Sequence, residues 1–230
     1  MADTSAPAND TMAELGGVWV NSDDDTADIM VLDEDGSLHW LAVHALQGQR
    51  WQADDDMLTL HSIARHSGDA VARVFTFHLS GDQLVLTAPF PADTTDGLAE
   101  SAPEQRWQRR PDAAASVAGE VRLPDGHSPP PQAILALSLE KQSSESAVDG
   151  AIQRRVSLVA EDSTISYRLY YDPAALDDGD ILHIQASIIA DGTRYYSTRR
   201  AVPSSTQAGA ALMLELSPMG PGHSNGATTQ

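Results

Sequence analysis

Apolar and polar side chains alternate with a period of two through most of this chain, in short runs broken by turn-forming residues. Gly17-Val18-Trp19-Val20 opens the series. Asp28 to Leu32, Ser37 to His44, Arg50 to Ala53, Met57 to Ile63, Ala70 to Leu79 and Gln83 to Ala88 follow. Between them lie Asp33-Glu34-Asp35-Gly36, Asp54-Asp55-Asp56, His66-Ser67-Gly68-Asp69 and Ser80-Gly81-Asp82. Glycine and aspartate tolerate the backbone angles of tight reversals, so these segments predict hairpins. In Val71 to Leu79, Val71, Phe75, Phe77 and Leu79 share one parity and predict an inward face, with Arg73 as the exception. Pro89 to Glu104 predicts a loop, and Gln105 to Arg109 a closing strand. The first half is thus expected to be an antiparallel meander over residues 14–110.

After a linker at 111–116, the alternation resumes over residues 117–217. The inward sets are Val117, Gly119, Val121; Leu135, Leu137, Leu139; Val156, Leu158; Ile165, Tyr167, Leu169, Tyr171; Leu182, Ile184, Ala186, Ile188; Tyr196, Thr198, Val202; and Leu212, Leu214, Leu216. About seven short strands in roughly 100 residues predict a β-sandwich. Pro173-Ala174-Ala175-Leu176 is the one segment that predicts a helical turn. Residues 1–13 and 218–230 are small and polar, and predict a flexible tether and tail. The expected fold class is all-β: a small antiparallel barrel-like domain, then a seven-strand sandwich.

Charge supports this division. The chain has 14 basic and 33 acidic side chains, net −19, and Lys141 is its only lysine. Residues 1–115 hold 6 basic and 20 acidic groups, whereas residues 116–230 hold 8 and 13. An acidic chain without a basic stripe argues against nucleic acid and anionic lipid as partners. With no cysteine there is neither a disulfide nor a thiolate. No run approaches the ~20 apolar residues of a membrane helix. Met1 leads into Ala2-Asp3-Thr4-Ser5 without an apolar leader, so two readings stand: a cytoplasmic chain, or a mature form from which a leader was removed.

Candidate chemistry is sparse. No G-x-S-x-G elbow accompanies the scattered serines and histidines, so no catalytic residue is assigned. His39 and His44, like His61 and His66, are five apart, which sends them to opposite faces of one strand; no metal site or cofactor is expected. Asp23-Asp24-Asp25, Asp33-Glu34-Asp35, Asp54-Asp55-Asp56 and Asp177-Asp178-Gly179-Asp180 lack the alternating spacing of a calcium loop. Trp19, Trp40, Trp51 and Trp107 suit a packed barrel core, and would equally suit a cavity for an apolar ligand. Tyr170 and Tyr195 have outward parity beside Arg168 and Arg194; these four are the candidate partner surface.

The second half resembles the YbaY/YscW family of envelope lipoproteins. The matching residues are Val117-x-Gly119-x-Val121, Pro130-Pro131-x-Ala133-x-Leu135-x-Leu137-x-Leu139, Ile165-x-Tyr167-x-Leu169 into Tyr171-Asp172-Pro173, Ala186-x-Ile188 into Asp191-Gly192, and Tyr196 to Val202. The resemblance implies a β-sandwich lipoprotein without catalytic residues. One branch acts as a pilotin, which escorts an outer-membrane secretin. This chain lacks the lipid-accepting cysteine, so membrane attachment would require an N-terminal anchor absent here. Residues 14–110 look like META/HslJ-like or lipocalin-like domains, through Leu15-Gly16-Gly17-Val18-Trp19, Asp35-Gly36-Ser37-Leu38, Trp51 with Met57-Leu58-Thr59-Leu60, Gly81-Asp82-Gln83-Leu84-Val85-Leu86 and Trp107.

The combined expectation is a non-enzymatic envelope lipoprotein on the periplasmic face, acting as a binding or structural module. A pilotin-like chaperone and a carrier of a small apolar ligand are the alternatives. An outer-membrane or envelope protein is the expected partner.

Overall fold

The computed structural model describes residues 8–23, 28–41, 45–89, 104–142, 150–158, 164–203 and 211–219, with the backbone alone for 8–10 and 150–158. The chain forms two compact units, residues 1–114 and 115–230, and both are built from β-strands.

The first unit contains β1 (Gly17–Asn21), β2 (Ile29–Leu32), β3 (Leu38–Leu41), β4 (Leu46–Asp54), β5 (Met57–Ala64), β6 (Ala70–Ser80), β7 (Gln83–Thr87) and β8 (Glu104–Arg109). They form one antiparallel sheet in the order β3-β2-β1-β8-β7-β6-β5-β4. Strands adjacent in sequence pair throughout, except that β8 returns to β1 and β4 follows β3 across the seam. The two end strands meet through a single bridge, Ser37 to Arg50, so the barrel is nearly closed. Gly48 allows this approach: a Cβ there would lie 2.3 Å from the Leu38 carbonyl oxygen. Trp51 locks the seam, its backbone N–H donating to Gly36 O at 2.8 Å and its indole N–H to Asp33 O at 2.9 Å.

The structure corrects the expected tether at residues 1–13, because Ala8–Leu15 is a helix, α1. Met12 and Leu15 lie three apart, share one side of α1, and pack into the barrel core. Arg109 of β8 donates to Gly16 O at 2.6 Å and Glu14 O at 2.5 Å, satisfying carbonyls the helix end leaves open. Its guanidinium also stacks 4.3 Å from the Trp19 ring centroid. Sequence periodicity missed α1 because eight residues span barely two turns.

The second unit contains β9 (Ala115–Arg122), β10 (Ile134–Gln142), β11 (Gly150–Leu158), β12 (Thr164–Tyr171), β13 (Ile181–Ala190), β14 (Thr193–Ala201), β15 (Leu212–Glu215) and β16 (Ser217–Pro218). Since β9 begins at Ala115, the expected linker loses its last two residues to the strand. A five-stranded sheet, β11-β10-β13-β14-β16, faces a three-stranded sheet, β12-β9-β15. Leu135, Leu137, Leu139, Leu182, Ile184 and Ile188 from the first pack against Val117, Val121, Tyr167, Leu169, Leu212 and Leu214 from the second. The expected inward parities of β9, β10, β12, β13 and β15 are thus the observed ones. In β11 the ladder sets Val156 opposite Ala136 and Leu158 opposite Ile134, positions that alternate with the core-facing leucines. The inward parity expected of Val156 and Leu158 concerns side chains that lie outside the described residues. The predicted helical turn is a 3₁₀ turn at Pro173–Ala175, with the Asp172 carboxylate accepting from Ala174 N at 2.8 Å.

One contact fixes the C-terminal edge. β15 runs parallel to β9, with Leu212 opposite Gly119, and a Cβ on Gly119 would sit 1.9 Å from the Leu212 carbonyl oxygen. Tyr167 of β12 reaches the same oxygen, its buried hydroxyl donating at 3.0 Å. Gly119→Ala is expected to cost about 3 kcal/mol or more, since backbone must move, and Tyr167→Phe about 1–2 kcal/mol, both measured by urea unfolding. Burial pushes the Tyr167 hydroxyl above its ordinary pKa, and does the same to Tyr171. Above pH ~10 the unfolded chain therefore releases tyrosine protons that the folded chain retains, and stability falls as pH rises. The urea midpoint is expected to drop between pH 9 and pH 11, and to drop less in Tyr167→Phe.

Candidate partner-binding surface

The described part of the first unit holds a packed apolar core. Trp19, Met30, Leu58, Leu84 and Leu86 are fully buried, with Trp51, Trp107 and Phe75 nearly so. Three of the four tryptophans, Trp19, Trp51 and Trp107, belong to this core. Trp40 is only half-buried; it packs 6.0 Å from Trp107 and donates its indole N–H to Ser62 Oγ at 3.0 Å.

Among the described residues, no three His, Asp or Glu side chains converge as metal ligands. His39 is buried on β3 and His61 lies half-buried on β5. His44 and Asp24 and Asp25 lie outside the described residues. Asp35 caps its own turn, accepting from Ser37 N at 2.8 Å, and Asp33 accepts from Glu34 N at 3.0 Å. Asp177 and Asp180 of the fourth acidic segment hold Lys141, whose ammonium lies 3.6 Å and 3.1 Å from their carboxylates. Asp180 is the buried partner, its side chain 2% exposed. Lys141 also donates to Ala175 O at 3.0 Å, and the Asp180 hydrogen bond raises its pKa. The one lysine of the chain thus ties the loop after the 3₁₀ turn to β10.

The four predicted surface residues fall on two faces of the sandwich. Arg168 and Tyr170 lie on β12, on the outer side of the three-stranded sheet, and Arg194 and Tyr195 lie on β14 of the five-stranded sheet. Because the sheets enclose one core, their outer sides point apart, and the structure does not unite the four. Tyr170 departs from the expected exposure: it is 9% exposed. Arg168 folds over that face, its guanidinium donating to the Tyr170 hydroxyl at 3.4 Å. Parity places a side chain on a face but does not reveal what a long neighbour covers.

Tyr195 is exposed at a bulge, and Arg194 beside it is half-buried. Ile188 pairs with Tyr196 and Ile189 with Arg194, leaving Tyr195 as the additional residue, 40% exposed. Arg194 ends an outward row in which Ile134 pairs with Ile189 and Ile189 with Arg194. Its Nε is buried without a hydrogen-bond partner among the described residues. The next row is Ala136, Ser187 and Ser197, with the two hydroxyls 3.2 Å apart. Farther along, Arg199 lies 3.4 Å from the Glu140 carboxylate. The outer side of the five-stranded sheet therefore grades from an apolar end, with one unsatisfied guanidinium N–H and an exposed tyrosine, to an ion-paired end. Such a surface suits an amphipathic segment of another protein. Ile134 and Ile189 escaped the sequence reading. The available signal was the continuous apolar run Ile188-Ile189-Ala190, which marks a strand with apolar groups on both sides.

Residues 112–216 match the family model described as type III secretion system lipoprotein chaperone (YscW). A solved structure of an alternative pilotin from the type II secretion system of Vibrio cholerae is similar at 18% identity, covering 45% of this chain and 97% of that one, with a TM-score of 0.38. No curated protein matches the chain. No helix among the described residues is long and apolar enough to cross a membrane.

If Arg194 and Tyr195 serve recognition rather than folding, replacing them leaves the fold intact. Tyr195→Ala is expected to change stability by less than about 0.5 kcal/mol, whereas Tyr170→Ala costs about 2 kcal/mol or more. Thermal unfolding followed by circular dichroism measures both.

Proposed function

We propose that this chain is a non-enzymatic accessory protein of the cell envelope. Its second unit acts as a pilotin-like chaperone for an outer-membrane secretin or a related assembly. The observation that carries this reading is the match of residues 112–216, nearly the whole sandwich, to the model of a secretion-system lipoprotein chaperone family. The outer side of the five-stranded sheet supports it, since an apolar row beside Arg194 and Tyr195 offers what an amphipathic segment of a client would need. The periplasmic face of the outer membrane is the compartment in which such a client is reached. The META-like or lipocalin-like resemblance of the first unit gives it a barrel architecture and no separate role in this reading.

A photo-crosslinking residue at position 195 of the full chain, expressed in native envelopes, tests the reading. The expected adduct contains an outer-membrane secretin subunit, and Arg194→Ala lowers its yield at least fivefold. Envelopes that contain an intact secretin but give no outer-membrane adduct from position 195, or from Ile189, would overturn it.

A further inference from the structure

The outward positions of β10, β13 and β14 alternate with the core residues and hold Arg194 and Arg199 against a single acid, Glu140. Across the whole chain acids outnumber basic residues 33 to 14, so this sheet side reverses the balance. Its charges are also unequally engaged. The Glu140 carboxylate lies 3.4 Å from Arg199 Nε and accepts from Ser138 Oγ at 3.0 Å. His183, the other titratable outward group, stands opposite Glu140. Arg194 has no ion pair among the described residues, and its Nε is buried without an acceptor. Asp191, in the turn just before β14, is exposed and makes no ion pair with it. Glu140 stands about 20 Å along β10 from Ile134, at the other end of the sheet.

We infer that Arg194 is a carboxylate-binding point, and that the segment this sheet side takes is acidic as well as apolar. An aspartate or glutamate side chain of the partner meets the guanidinium, while apolar neighbours in the same segment cover Ile134, Ile189 and Tyr195. The inference rests on the partner-binding reading of this side and names the chemistry of the client segment. Three observations select that chemistry. A guanidinium presents a planar fork of N–H groups that matches a carboxylate, and charge-assisted bonds of this kind are the strong ones. The Nε–H of Arg194 is already out of water, so an acceptor supplied by a partner satisfies a donor that the folded chain leaves open. Ile189 lies directly opposite Arg194 on the neighbouring strand, and apolar surroundings strengthen a polar contact by excluding competing water. A purely apolar segment would instead bury the arginine unpaired, and a basic one would set like charges together. The net charge of −19 does not forbid an acidic partner here. At physiological salt, charges act over about 8 Å, so Glu140 is screened from Arg194 while a direct contact is not.

Fluorescence anisotropy of the full chain at physiological salt tests it. The probes are dye-labelled peptides of about 12 residues with amidated C-termini, sharing leucines at alternate positions in a Ser/Thr background. They differ at two positions, which hold glutamate, glutamine or lysine. The glutamate peptide is expected to bind at least tenfold more tightly than the other two. Arg194→Gln brings it to the level of the glutamine peptide, and Arg194→Lys, which keeps the charge without the fork, retains part of the preference. Circular dichroism establishes that each variant is folded. The glutamine peptide with a free C-terminal carboxylate is expected to bind as weakly as its amide; binding equal to the glutamate peptide overturns the side-chain assignment. No preference among the peptides, a preference for lysine, or a glutamate preference that survives Arg194→Gln overturns the inference. So does Arg194-dependent binding of phosphatidylglycerol vesicles without a peptide preference. The photo-adduct from position 195 is read separately. A secretin adduct without a carboxylate preference overturns this inference and leaves the chaperone reading, and a carboxylate preference without a secretin adduct does the reverse.

Discussion

The Leu212 carbonyl oxygen occupies the place where a side chain on residue 119 would begin, and the architecture of the second unit depends on that arrangement. Only glycine at this position lets β15 lie parallel against β9. Once β15 is there, Leu212, Leu214 and Leu216 complete the core, and the Tyr167 hydroxyl bridges across Gly119 to the same carbonyl. Arg200 of β14 donates to Met213 O at 2.8 Å, which ties the two sheets together at this edge. The chain then pairs Ser217 with Ser197 on the opposite sheet. One missing methyl group thus allows the last strands to join both layers.

Charge is distributed to the same effect. Most acidic groups of the described chain lie in turns, where they cap local backbone or remain hydrated. The cations near them are largely engaged: Arg106 with Asp23 and Glu104, Arg110 with Asp112, and Lys141 with Asp177 and Asp180. At the exposed pairs the energetic gain is small, because water screens them. Their consequence is positional. Where charge is absent from outward strand positions, as at Ile134, Ile189, Ala136 and Ser187, another surface can pack without costly desolvation.

Much of this was legible in the alternation itself. Hairpins with Asp55 at φ 51° and Asp191 at φ 48° before Gly192 at φ 72° fall where acidic or Asp-Gly turns were read. The core sets of β9, β10, β12 and β13 followed from period two because their buried apolar residues recur at every second position. The reading failed where that premise failed. In β2, all four residues are buried, so parity carries no information about which side faces the barrel. α1 was too short for a helical period to emerge from a polar, Pro-containing end. The roles of Gly48 and Gly119 depend on which distant strand arrives above them, and no local pattern contains that information. The candidate surface was half legible: Arg194 and Tyr195 lie where expected, but Ile134 and Ile189 were hidden by the assumption that polar parity means polar residues.

These features bear on the kind of recognition the chain supports. A small substrate is held by a concave, partly dry site in which several polar groups converge. The described cores of the two units are packed from leucine, isoleucine, tryptophan and tyrosine. Unsatisfied buried N–H or ring nitrogen atoms, at Trp107, His183 and Arg194, are single groups on separate strands rather than a constellation. What the described chain offers in breadth is flat sheet surface. Flat surfaces gain affinity only by burying large areas against an equally broad partner, because each contact on them is individually weak. A macromolecule supplies that breadth. The proposed chaperone role rests on the match of residues 112–216, and the outward row of Ile134, Ile189 and Arg194 is the described surface that would serve it.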